Sequence, residues 1–194
     1  MLIQRSLALR RGLSWPPVSR ALLLAGAASA LCCSPPKVAS SGGLTVELRD
    51  GATISPEKLK ELDARHAAFL ECLPPNLKKR KQPLVRIAGD CDRLPDGTRG
   101  RYGGTWVKVP PSLGALAHEF AHYYADDTRH SVLEKRPEGW VALVGTEVRG
   151  PYPTKAEAEQ HLGYDRICGD AIDAKFRKQY PVTCRKPQGP LETP

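Results

Sequence analysis

The sequence predicts an α+β domain, a small mixed sheet carrying helices, and three observations lead there. Short runs alternate apolar and polar residues, as half-buried strands do. Longer runs repeat apolar residues at helical spacing and are preceded by residues that start helices. The 194 residues hold 41% hydrophobic and 26% charged side chains, an ordinary balance for one folded unit, with 18 Pro and 17 Gly to supply turns. The same composition excludes collagen, coiled coil and polytopic membrane protein.

Residues 1–30 read as an export signal. Arg5, Arg10, Arg11 and Arg20 stand there without an acid, Ala21 to Ala30 form an apolar run, and Ala28-Ser29-Ala30 supplies a small-residue cleavage site. The run is about half of the roughly 20 residues that cross a bilayer, so no permanent membrane span is expected. The location implied is secreted or periplasmic. Lipoprotein anchoring through Cys32 or Cys33 ranks below simple cleavage, because Leu31 stands where a lipobox wants Gly or Ala. Losing the four arginines halves the formal charge from +8 to +4, which removes most of the support for a nucleic-acid partner.

Residues 31–43 read as a flexible Pro/Ser/Gly-rich leader, residues 44–186 as the folded domain and residues 187–194 as a disordered tail. Leu44, Val46 and Leu48 alternate with polar residues as a strand, and Asp50-Gly51 turns the chain. Ser55-Pro56 opens a helix whose stripe of Leu59, Leu62, Ala67 and Leu70 ends at Pro74-Pro75, with His66 as a packing or surface residue. Lys78-Lys79-Arg80-Lys81 lacks interleaved aromatics and reads as a solvated loop. Leu84 to Ala88 is a strand candidate. Gly89 to Gly104 is turn-rich, and its Asp90, Asp92 and Asp96 lack the Gly and Glu of an EF-hand loop. Thr105 to Val109 is a strand stopped by Pro110-Pro111.

In an oxidising compartment Cys72, Cys91, Cys168 and Cys184 allow two disulfides in three connectivities. The neighbours in sequence are favoured, Cys72 with Cys91 and Cys168 with Cys184. Each would close a loop of about 15 to 20 residues, worth about 3 kcal/mol by the chain-entropy model.

A helix from Leu113 to about Asp126, opened by Ser112, contains His118-Glu119-Phe120-Ala121-His122. His122 falls about 40° from His118 and Glu119 about 100°, while Leu116, Ala117, Phe120, Ala121 and Tyr124 occupy the other side. The helix therefore packs one face and presents the other. Two imidazoles one turn apart can direct nitrogens at one Zn2+, leaving positions for a third ligand and a water, with Glu119 beside them as a base.

This segment resembles the zincin class of zinc metallopeptidases. The resemblance implies a zincin-like catalytic domain, with an edge strand, here Thr105 to Val109, that holds substrate backbone by strand addition. His130 lies eight residues past His122, where the metzincin pattern wants six, so the third ligand is expected from a later segment. Trp140 to Val144 and Thr146 to Val148 form a hairpin around Gly145, and Thr154 with Glu157 is a capping box for a helix reaching Gly163. A final helix follows, with Ile167, Ala171, Ala174 and Phe176 as its buried side. Tyr164-Asp165-Arg166, Asp170 and Phe176-Arg177 resemble the region of anthrax lethal factor-type peptidases and Pro-Pro endopeptidases that supplies a tyrosine and the third ligand. In that family the ligand is a Glu seven positions after the tyrosine; Asp170 stands six after Tyr164.

The resemblance thus implies a metal set of His118, His122 and Asp170, with Asp173, Glu138, Glu157, His161 and Asp126 as alternatives. Asp126 is otherwise expected to orient a histidine. Glu119 would be the general base for a zinc-held water and Tyr164 an oxyanion donor. The expected function is a monomeric zinc-dependent endopeptidase acting on a peptide or protein. The alternative is a catalytically inactive zincin-fold envelope protein that binds a partner through its cleft.

Overall fold

A computed structural model describes residues 34–182. The export signal, Cys32, Cys33, Cys184 and the 187–194 tail lie outside the described residues. Five strands form a mixed sheet: β1 (Lys37–Ala39), β2 (Thr45–Leu48), β3 (Leu84–Ile87), β4 (Arg101–Gly103) and β5 (Trp106–Val109). Their spatial order is β1-β2-β3-β5-β4, with β2, β3 and β5 parallel and the two outer strands antiparallel. Order begins before Leu44: within the segment read as a flexible leader, Val38 pairs with Val46.

One face of the sheet is apolar because Val46, Val85, Ile87, Val107 and Val109 alternate inward. Helices α1 (Pro56–Cys72) and α3 (Leu116–Ala125) are the main helical partners of these residues in a single core. The short α2 (Pro75–Lys78) follows α1. Ser55 caps α1 by accepting from Lys58 N at 3.2 Å, with Pro56 in its first turn, as the sequence predicts. Phe69 packs tilted against Phe120 and Tyr124 between the two helices, Phe120 meets Tyr124 edge to face, and His66 joins them with its Nε2 2.8 Å from the Tyr124 hydroxyl.

A three-stranded meander follows, β6 (Ser131–Arg136), β7 (Gly139–Val144) and β8 (Glu147–Tyr152), with the expected hairpin at Gly145. The capping box of Thr154 and Glu157 opens α4 (Lys155–Glu159), which stops short of Gly163. A π-helical turn, Asp165–Asp170, then runs into α5 (Ala171–Gln179).

Four expectations change. The strand before the motif helix is not an edge, since β5 is bonded on both sides. The edge on that side is β4, concealed in sequence because Gly103 leaves room for the Trp106 ring where a side chain would mark a strand: a Cβ there would lie 2.6 Å from Trp106 Cζ2. The last helix buries Asp165, Cys168, Gly169, Asp173 and Phe176 rather than Ile167, Ala171 and Ala174. A π turn widens the repeat and so rotates the following residues relative to an α-helical count. Arg80 leaves the basic loop to donate to Gly104 O at 3.1 Å and to Tyr123 O, and it stacks 4.3 Å over the Tyr123 ring.

The fourth change is the disulfide. Cys72 pairs with Cys168, 96 residues away, instead of Cys91. Packing lays the end of α1 against the π-helical turn, and this tertiary proximity overrides the short-loop preference. Closing so long a loop is worth about 4–5 kcal/mol in the chain-entropy model. Cys91 is also disulfide-bonded.

Burial holds His66 neutral, pushing its pKa down from 6.5 to about 4 although Asp63 pulls the other way. Above 6.5 the ring is neutral folded and unfolded, and no penalty arises. Between 6.5 and about 4 only the unfolded chain takes the proton, so stability falls with acid, by at most about 3 kcal/mol. Urea unfolding at pH 7.5 and 4.5 checks this: His66→Gln should shrink the difference between the two midpoints.

Candidate metal centre

The motif helix begins later than its sequence suggests. Leu113 adopts φ 60°, so Ser112 to Ala115 form a turn and Ala115 is an N-cap without a side-chain bond. Asp173 of α5 takes over the capping role. Its carboxylate accepts from Ala117 N at 3.1 Å and His118 N at 3.0 Å, and from Arg65 at 2.8 Å. Burial pushes the Asp173 carboxyl up to about 6 against the pull of Arg65 and both amides.

On the presented face, His118 Nε2 and His122 Nε2 approach to 3.1 Å. Asp126 then ends α3 in the left-handed region at φ 53°, and the chain reverses. His130 returns over the pair, its carbonyl accepting from Gly145 N at 3.0 Å. The His130 ring stacks on His118 at 5.2 Å and meets His122 edge-on at 4.8 Å. One ring nitrogen from each histidine lies within 4.8 Å of the others, close enough to share a metal ion.

The outer nitrogens fix the inner ones. His122 Nδ1 is 2.6 Å from Asp127 O, which only accepts, so Nδ1 carries the hydrogen and Nε2 a lone pair. His118 Nδ1 donates likewise to Asp170 Oδ1 at 2.8 Å. Two lone pairs facing at 3.1 Å repel unless a cation or a proton lies between them. Burial opposes charge on His118, yet the Asp170 hydrogen bond and charge outweigh it and raise its pKa. Burial, with the charge of His118, lowers that of His122 despite the Asp127 carbonyl. The donor set therefore fits a divalent ion, whose arrival displaces a proton.

Asp170 stands behind His118 and does not join the cluster; His130 takes the third position. The reason is a close approach: a Cβ on Gly169 would lie 2.7 Å from His118 Cα, so the π-helical turn lies against the backbone of α3. The next residue reaches the near edge of the ring, Nδ1, rather than Nε2. Burial would raise the Asp170 pKa, but His118 and Arg166, which donates at 2.6 Å, hold it below the usual carboxylate range.

Glu119 is buried at 6% exposure, and Gly100 packs so closely that a Cβ there would lie 2.7 Å from Glu119 Cγ. Burial pushes its carboxyl up to about 7, with Asp173 adding to the rise and His118 opposing it. Glu119, His118 and His130 line a cavity of about 460 Å³. Tyr164 lines another, of about 540 Å³, with His122 and Asp127, so Tyr164 and Glu119 open on different cavities. Asp126 bonds Tyr102 and Arg80, not a histidine. Glu157 is used in its capping box, His161 stacks 4.3 Å over Tyr152, and Glu138 stays in the β6–β7 turn.

His130 is the residue that sequence reasoning set aside. The available signal was clustering, since three of the five histidines fall between residues 118 and 130. No protein family, curated protein or solved structure matches the chain.

If the cluster holds a divalent ion, Asp170→Asn should weaken its binding by about 10–100-fold through the loss of charge behind His118. His130→Ala should cost more, and competition against a chelating dye reads both. Wild-type affinity should fall as pH drops through the raised His118 pKa. Abolished binding in Asp170→Asn with His130→Ala unaffected would make Asp170 the third ligand instead.

Proposed function

We propose that this chain is an exported, zinc-dependent peptide hydrolase. The observation that carries the reading is the convergence of three imidazoles beside a buried glutamate. Three neutral nitrogen donors suit Zn2+ and leave coordination positions open, as catalytic zinc sites do. His118, His122 and His130 would hold the ion, with Asp170 and the Asp127 carbonyl fixing the first two rings. When bound, such an ion supplies Lewis acidity that polarises a carbonyl and acidifies water.

The chain's own groups supply the rest. Glu119 takes a proton from the attacking water and delivers it to the leaving amine, which requires its ionised form. Hydrolysis therefore falls as acid protonates Glu119. The outer side of β4 carries no strand among the described residues, and the Gly100 that leads into it abuts Glu119. An extended peptide added there would run past the base, the role that the resemblance to zincins implied for β5. Export is supported by the Cys72–Cys168 bridge, which persists in oxidising compartments, and by the character of residues 1–30.

Glu119→Gln should keep zinc and lower turnover of a quenched-fluorescent peptide library by about 10²–10⁴-fold. Metal content by plasma mass spectrometry accompanies the assay. Undiminished hydrolysis by this variant would exclude the mechanism, and a zinc-loaded wild type that cleaves nothing would favour the partner-binding alternative.

A further inference from the structure

The cavity beside Glu119 is lined by two arginines that form no ion pair with its acids. Arg99 and Arg177 line it from two elements, the loop into β4 and the exposed side of α5. Two of the three acids in the cavity, Asp173 and Asp170, are engaged elsewhere. Asp173 is held by Arg65 and two amides, and Asp170 by His118 and Arg166. Glu119 packs against Gly100 and makes no ion pair among the described residues, so it is the one acid left to face the arginines.

The two arginines are not consumed in the same way. Arg101 pairs with Asp96 at 2.9 Å and Arg93 donates to Gly97 O at 2.6 Å, whereas Arg99, between them in sequence, makes no ion pair among the described residues. Arg177 gives one long bond of 3.3 Å to Gly114 O and likewise has no acidic partner among the described residues. Five donors on a planar fork leave most of its capacity open. The cavity on the His122 side differs: its Arg129 pairs with Asp127 at 2.6 Å and its Arg149 with Glu147 at 2.9 Å.

We propose that Arg99 and Arg177 form a carboxylate-binding subsite that selects peptides carrying a carboxylate next to the bond attacked. The subsite rests on the peptidase reading above. A guanidinium fork matches a carboxylate with two parallel bonds, and the cavity of about 460 Å³ lies in the range of small-ligand sites. A singly charged carboxylate suits it better than a phosphate dianion, because Glu119 and Asp170 line the same space. Two sources offer that group, an acidic side chain or the free C-terminus of a peptide.

Paired peptides distinguish them with the zinc-loaded full chain. One series exchanges Glu for Gln on either side of the cleaved bond, and the other exchanges a free C-terminus for its amide. The acid form of one series should be preferred in kcat/KM by about tenfold, mainly through KM. Arg99→Ala and Arg177→Ala should each reduce that preference by about threefold to fivefold, and the double variant should abolish it, while zinc content and circular dichroism stay as in wild type. Arg177→Lys should restore it only in part. No acid preference in either series, or a preference that survives the double variant, overturns the subsite. Absence of all turnover refutes the peptidase reading instead. Anisotropy titrations of zinc-loaded Glu119→Gln with the labelled peptides then decide the subsite alone: tighter acid binding, lost with both arginines, supports it, and equal binding rejects it.

Discussion

The buried carboxylate of Asp173 is the constraint on which the site depends. An α-helix needs acceptors for its first amides, and the motif helix begins at a turn with no capping side chain of its own. Asp173 supplies them from 55 residues away at His118 N. Its charge is compensated by Arg65, itself 1% exposed, and by the two backbone amides; the same guanidinium also donates to Glu61 and to Leu113 O. Removing one member of such a set leaves a buried charge uncompensated, which typically costs about 3–5 kcal/mol. α1, α3 and α5 are thus fixed to one another at the residue that carries the first imidazole.

The π-helical turn extends the same logic to the other histidines. Asp165 accepts from Ser131 N at 2.8 Å and Ser131 Oγ at 2.7 Å, and Arg166 donates to Ser131 O at 2.8 Å. Ser131 is fully buried and directly follows His130, so the turn holds His130 through its neighbour. Four residues later Asp170 holds His118 through its ring. Cys168 between them ties the turn to α1. A single widened turn therefore sets two of the three imidazoles, which gives a physical role to an irregularity that an ordinary helix would lack.

Buried polar groups around the cluster make its rigidity intelligible. His122 is fixed by a backbone carbonyl in the loop that follows it, His118 by a carboxylate and His130 by backbone bonds on both sides. The His118 and His122 rings are oriented by bonds at their outer nitrogens, so for these two the ordering cost falls on folding rather than on binding. Glu119, pressed against a glycine, has no space to reorient either.

How much of this was legible follows from where the information lies. The strands at Val46, Val85 and Val107, the capped α1, the packed and presented faces of α3 and the pair His118 and His122 are local patterns, written in spacings of two, three and four residues. His66 could be read as a packing or surface residue rather than a ligand, and only the structure shows that it is buried against Tyr124. The identity of the third imidazole was different. His130 stood in plain view, but its approach depends on a left-handed residue at Asp126 and on a clamp from Asp165, neither of which has a sequence period. The same holds for the Cys72–Cys168 pairing, for β4 as the sheet edge and for Asp170 behind rather than within the cluster. The sequence by itself determined which chemistry was available, two histidines and a glutamate on one helix face. Tertiary structure alone decided which distant groups complete it, because contacts between elements are set by packing and by the need to satisfy buried charge, not by distance along the chain.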